Sequence, residues 1–267
     1  GTYKAGDVIA VTVLFSEVVT VTGTPQLTLE TGTTDRIVNY ASGSGSNTLI
    51  FSYTVQAGDT SADLDYLSTT ALALNSGTIK DGAGNDSILT LATPAATNSL
   101  GANKAIIIDT TAAAPALTLA VDTGSSTSDT ITNNSLVNVS GLETGATWQY
   151  STDAGSNWSS GTGSSFTVSG DGAKSVTVRQ TDAAGNTSSA STALAFTLDT
   201  TPPTFDAAPA AGTATAINEN SGAGQTVYTA AATDAGAITY SLKAATDDVS
   251  SFSINASTGA VTLTGNP

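Results

Sequence analysis

The 267-residue chain has no cysteine, no histidine and no methionine. Without cysteine there is neither a disulfide framework nor a thiolate metal site, and without histidine the imidazole zinc sites and Ser-His-Asp triads are excluded. Charged residues make up only 11% of the chain, and they are lopsided: 18 Asp and 4 Glu face 7 Lys plus Arg, a net charge of −15. Such a surface repels nucleic acid and anionic membranes, so neither is expected as a partner. There is no signal peptide and no apolar run of membrane-spanning length, and direct membrane insertion is not expected. Helical periodicity is almost absent.

What remains is a chain rich in Thr, Ser, Ala, Gly and Val, a composition suited to short strands and tight turns. The segment Thr181 to Pro203, TDAAGNTSSASTALAFTLDTTPP, has an abbreviated earlier copy in KDGAGNDS from Lys80 and IIIDTT at Ile106 to Thr111. In both, an Asp-x-Ala-Gly-Asn turn leads through an apolar run into Asp-Thr-Thr, which reads as a turn, a last strand and a linker of a tandem array. The two linkers divide the chain into 1–111, 112–201 and 202–267. The middle piece has the size of an immunoglobulin-like sandwich, and the last is short for one. The chain starts inside a β pattern and ends just after one, so both ends read as cut and targeting signals are expected outside it.

In the first piece the alternation predicts strands at Val8–Phe15, Gln26–Glu30, Ile37–Tyr40, Thr48–Val55, Ala71–Leu74 and Lys104–Ile108, with the first and fourth pairing across the core. In the second it predicts Leu117–Val121, Leu136–Val139, Thr147–Ser151, Ser165–Val168, Val176–Gln180 and Ala193–Leu198, with a short strand near Trp158 and Trp148 in the core. In the third it picks out Ala232–Asp234, Ile238–Leu242 and Phe252–Leu263.

The opening GTYKAGDVIAVTVLFSEVV resembles the start of a domain common in giant bacterial surface adhesins, where one more strand would precede it. GLETGATWQYSTDAGSNW followed by VRQTDAAGNTS resembles the bacterial Ig-like repeats of such adhesins. INEN at Ile217–Asn220, ATD at Ala232–Asp234 and the Phe252–Leu263 stretch resemble the front of a cadherin-like domain. The resemblance implies an all-β fold of two tandem Ig-like sandwiches followed by a truncated cadherin-like sandwich. It also implies calcium ligation by Glu219 and Asp234.

Strand order assigns the carboxylates to ends of the sandwiches. For the middle piece, Glu143, Asp182 and Asn186 fall at the incoming pole beside Asp109, and Asp122, Asp129, Asp153 and Asp171 at the outgoing pole beside Asp199. The outgoing pole of the first piece collects Asp7, Asp59, Asp63 and Asp65. Crowded carboxylates repel unless cations sit among them, and calcium takes six to eight oxygens. Calcium is therefore expected at the first junction on some of Asp59, Asp63, Asp65, Asp109, Asp182 and Asn186, and at the second on Asp199 and Asp234 with Asp122 or Asp129. The blander reading makes each such Asp a turn former.

Asp122-Thr-Gly-Ser matches an aspartic-protease signature, but that chemistry needs two carboxylates sharing a proton, hence a second such motif or a dimer; the chain has no second copy, and Asp122 falls in a predicted loop between the first two strands of an Ig-like repeat. No enzyme is expected. Trp158 with Tyr150 offers a sugar-stacking platform, which keeps a carbohydrate-binding module as an alternative. A subunit of a polymerising filament or layer is another, since open ends could exchange strands. The leading expectation is an extracellular extender segment of a bacterial cell-surface adhesin. Calcium would stiffen its junctions, its partners would be neighbouring repeats of the same chain, and any glycan or host ligand would be bound by other domains.

Overall fold

The computed structural model describes residues 1–124, 126–206, 215–234, 236–243 and 249–267. Ser125, in the Asp-Thr-Gly-Ser stretch, lies outside the described residues. The fold is all-β, and strand pairing closes within three groups. The first comprises β1 (Thr2–Tyr3), β2 (Val8–Thr22), β3 (Gln26–Leu29), β4 (Arg36–Ser42), β5 (Ser46–Thr54), β6 (Thr60–Ser61), β7 (Leu72–Ala73), β8 (Thr78–Asp81) and β9 (Ile107–Asp109), with one helical turn α1 (Leu100–Asn103). A six-stranded sheet in the order β7-β3-β4-β5-β2-β8 faces a three-stranded one, β1-β9-β6.

Strand β2 outruns its predicted end. Val8 to Leu14 pair antiparallel with β5, and after a bulge Val19 to Thr22 pair with β8, so one long strand serves two neighbours. Period-two alternation turns Ile9 and Val11 inward against Leu49, Phe51 and Tyr53. Leu27, Leu29, Leu49 and Leu64 are fully buried, each worth about 2 kcal/mol of apolar burial. The helical turn, with no counterpart in the sequence pattern, is local in origin: Ser99 caps it by accepting from the Ala102 N–H at 3.1 Å.

The second group comprises β10 (Ala116–Leu119), β11 (Ile131–Thr132), β12 (Leu136–Ser140), β13 (Thr147–Ser151), β14 (Ser159–Ser160), β15 (Ser165–Thr167), β16 (Gly172–Thr181) and β17 (Leu194–Leu198). Sheets β10-β12-β15 and β11-β17-β16-β13-β14 enclose Val137, Val139, Trp148, Phe166, Val176, Val178, Phe196 and Leu198. Trp148 is buried on the third long strand, and its Nε1–H donates to the Gly163 carbonyl at 2.9 Å. Gly161 makes room for the indole, since a Cβ there would stand 2.3 Å from the ring. In both groups a short early strand runs parallel to the last one: β1 with β9, and β11 with β17.

The third group comprises β18 (Thr204–Phe205), β19 (Thr226–Thr229), β20 (Ala232–Thr233), β21 (Phe252–Ile254) and β22 (Ala260–Leu263), paired as β18-β20 and β19-β22-β21. Ile238–Leu242 forms no strand. Instead it lines an apolar groove of about 660 Å³ with Phe205, Tyr228, Ile254 and Val261. The groups part beside the two Asp-Thr-Thr segments, at Asp109–Thr111 and Asp199–Thr201.

Candidate metal sites at the two junctions

The Asp-x-Ala-Gly-Asn turns share one geometry. Asp182 Oδ1 accepts from the Asn186 backbone N–H at 2.8 Å and Oδ2 from the Asn186 amide at 2.8 Å. Asp81 holds Asn85 the same way, at 2.8 and 2.7 Å. Asp153 does so with Asn157 in a third copy, at 2.8 and 2.6 Å, whose sequence DAGSN lacks the Ala-Gly-Asn of the other two. The shared signal is Asp and Asn four residues apart. The Asn157 backbone N–H, its amide and the Ser151 hydroxyl hold the Asp153 carboxyl down to about 2. These carboxylates are turn formers first.

At the first junction the structure brings together Asp109, Asp182 and Asn186. Besides closing its own turn, the Asn186 amide reaches the Asp109 carbonyl at 2.9 Å. The Asp109 carboxylate closes an Asx turn on the Thr111 N–H. The linker is bonded on both sides. Thr110 Oγ accepts from Gly58 N–H and donates to the Asp59 carbonyl, while Ala113 is held by Glu143 Oε1 and by the Gln180 amide, both at 2.7 Å. A direct strut completes it: the Lys4 ammonium, following β1, donates to the Gly185 carbonyl at 3.0 Å.

Asp59, Asp63 and Asp65 do not join this set. Asp59 stands beside the linker, but its carboxylate turns inward to Arg36 and Tyr53. The register of β6 on β9, Thr60 opposite Asp109 and Ser61 opposite Ile108, carries the chain back away from the linker. Asp63 therefore lies by Ile106. Asp65 accepts from the Ala95, Leu100 and Tyr66 N–H groups. Burial alone would raise the Asp65 carboxyl, but the Ala95 N–H, the Ser99 hydroxyl and the Tyr66 and Gly101 N–H groups outweigh it and hold it low. Loop-to-pole assignment from strand count missed this because the first group does not follow a simple seven-strand order.

The second junction differs in chemistry. A cavity of about 340 Å³ between the second and third groups is lined by Asp129, Asp199 and Asp234 together with Thr123, Thr201 and Gly236. Asp129 and Asp199 each close an Asx turn with one oxygen, on Ile131 and Thr201. Asp122, expected in this set, does not line the cavity: it accepts from the Thr130 N–H through Oδ2, and its Oδ1 is buried with no hydrogen-bond partner among the described residues. Beside the cavity Asp171 grips the outgoing linker, accepting from Thr200 N–H and Oγ and from Thr201 Oγ. Glu219 is exposed and far from this set, in the segment where Asn220 bonds Pro267, at the other end of β19 from Asp234.

The donor set at the second junction is all oxygen and fits a hard cation such as calcium. Among the described residues no three acidic side chains are grouped to hold one ion by themselves. Calcium there would draw further oxygens from backbone carbonyls, threonine hydroxyls and water. The first junction fits less well, because an ammonium and two amides already point at its oxygens.

The two aromatics of the expected platform do not stack on a common partner. The Arg179 guanidinium sits 4.2 Å over the Trp158 ring, and Tyr150 stacks on Phe166 at 4.2 Å. Each aromatic has one face taken, by different partners.

No protein-family profile and no curated protein matches the chain. Among solved structures, a protocadherin gammaB7 EC3-6 cis-dimer matches with a TM-score of 0.26 and 14% identity, over 100% of this chain and 63% of that one. A protocadherin gammaB4 extracellular domain matches with a TM-score of 0.22 and 15% identity, over 90% of this chain and 38% of that one. The chain thus spans less than two thirds of either, and likeness of this size says nothing of function.

Proposed function

We propose that this chain is an extender segment of a bacterial cell-surface adhesin, a string of β-sandwiches that holds binding domains away from the cell. Calcium would stiffen its second junction. One observation carries the reading: the junction cavity lined by Asp129, Asp199 and Asp234. Asp199 belongs to the linker and Asp234 to the third group, so an ion touching both would fix the angle between neighbours. Short linkers alone leave small interfaces free to bend. The role is structural, and no catalytic step is assigned to any residue.

Calcium sites of extracellular modules have dissociation constants of about 0.1–1 mM. At tenfold excess over such a constant, binding would stabilise the protein by about 1.4 kcal/mol. The test is thermal unfolding and solution scattering of the whole chain in calcium and in chelator. Calcium should raise the melting temperature and lengthen the particle, and Asp199→Ala with Asp234→Ala should abolish both responses. If neither quantity responds in the unaltered chain, the calcium-stiffened rod is wrong.

A further inference from the structure

We infer that the first junction is a metal-free joint, in which the ammonium of Lys4 and the amide of Asn186 occupy the place an ion would take. This deepens the extender reading and rests on it.

Three observations carry the inference. The Lys4 ammonium leaves the first group and donates to the Gly185 carbonyl of the second at 3.0 Å. That carbonyl belongs to the Asp182–Asn186 turn. Asn186 then spends its amide on two acceptors, Asp182 Oδ2 at 2.8 Å and the Asp109 carbonyl at 2.9 Å. Because both partners are oxygens that only accept, the nitrogen rather than the carbonyl oxygen of the Asn186 amide must face them. Finally, the Gln180 amide donates to the Ala113 carbonyl at 2.7 Å, and the Ala113 N–H donates to Glu143 at 2.7 Å. The oxygens a metal would need from linker and turn are thus met by N–H donors of the chain. A divalent ion at that spot would face a positive ammonium and the hydrogens of an amide.

The second junction is built the other way, with carboxylates on its cavity wall and, among the described residues, no lysine or arginine lining it. The chain therefore alternates a joint that carries its own cation with one that takes its cation from solution. Depleting calcium should loosen one joint and leave the other stiff.

Because the chain has no cysteine, paired spin labels can be placed at introduced cysteines without background. The Ser52→Cys and Asn138→Cys pair spans the first junction, and the Asn138→Cys and Ser253→Cys pair spans the second. All three positions are exposed. Distance distributions are measured by pulsed electron resonance in calcium and in chelator. Across the first junction a single narrow peak should persist in both. Lys4→Met should lose the narrow peak in both media. Asn186→Asp, which exchanges a donor for a carboxylate oxygen and keeps Lys4, should lose it in chelator and recover it with calcium. A first-junction peak that broadens on chelation in the unaltered chain overturns the inference, as does a Lys4→Met chain whose peak stays narrow. Failure of the second junction to respond to calcium would instead sink the calcium reading and leave the metal-free joint standing.

Discussion

Asp59 is 1% exposed, yet it sits one residue from a strand edge beside the first linker. Its carboxylate accepts from the Arg36 guanidinium at 2.7 Å, the Tyr53 hydroxyl at 2.8 Å and the Gln56 N–H at 2.9 Å. Burial by itself would push the Asp59 carboxyl up, but the guanidinium, the Gln56 N–H and the Tyr53 hydroxyl reverse the sign and hold it below its ordinary value. The same burial, and then the hydrogen bond to Asp59, push the Tyr53 phenol well above its usual range. A carboxyl lowered on folding contributes stability that is complete above the unfolded value of about 4 and is lost as pH falls through the lower, folded one. Asp59→Ala strands the guanidinium and two further donors, and should cost about 3 kcal/mol. A urea midpoint measured at neutral pH reports it, with unchanged slope. A loss under about 1 kcal/mol would mean that the pair is no stronger than a surface one. The sequence could not show this role. A Gly-Asp-Thr stretch reads as a turn, and the partner Arg36 is 23 residues away.

Strands and turns were more legible than side-chain aims. The pairing of β2 with β5 follows from two apolar alternations of matching length, and the Trp148 core position from its place on a strand that needs one large anchor. The bulge that lets β2 continue to Thr22 was not legible, because Ser16 and Glu17 read as an end. Outgoing-pole geometry was partly legible: Asp171 was expected beside Asp199, and it grips the two threonines that follow Asp199. The hydroxyls of Thr201 and Thr200 and the Thr200 N–H keep the Asp171 carboxyl below its ordinary value. This clasp is present above the unfolded pKa of about 4 and opens as pH falls through the lowered value. The protection of the Thr200 amide, its exchange measured relative to the intrinsic rate at each pH, should therefore be lower in acid than at neutral pH. Asp171→Ala should show low protection at both pH values. If hydrogen exchange at Thr200 is the same in both chains, the clasp does not hold the linker.

At the scale of the whole chain, what matters is how force passes from one end to the other. The strands nearest the two ends of the first group, β1 and β9, lie side by side and parallel, with Thr2 opposite Ile107 and Tyr3 opposite Ile108. In the second group β11 and β17 are also parallel, but β10 precedes β11 and pairs antiparallel with β12, so load entering from the first linker meets β10 first. Pulling a parallel pair by the start of one strand and the end of the other slides the two past each other. Every hydrogen bond between them is then strained at once. An antiparallel pair pulled at adjacent ends opens bond by bond, as a zipper does. Single-molecule stretching should accordingly find the first group resisting as an abrupt rupture, and Tyr3→Pro, which removes a ladder donor, should lower the force of that rupture. A first rupture at unchanged force in that variant would show that the load travels elsewhere. A chain under flow would then yield at its bends first, and only later by tearing its sheets.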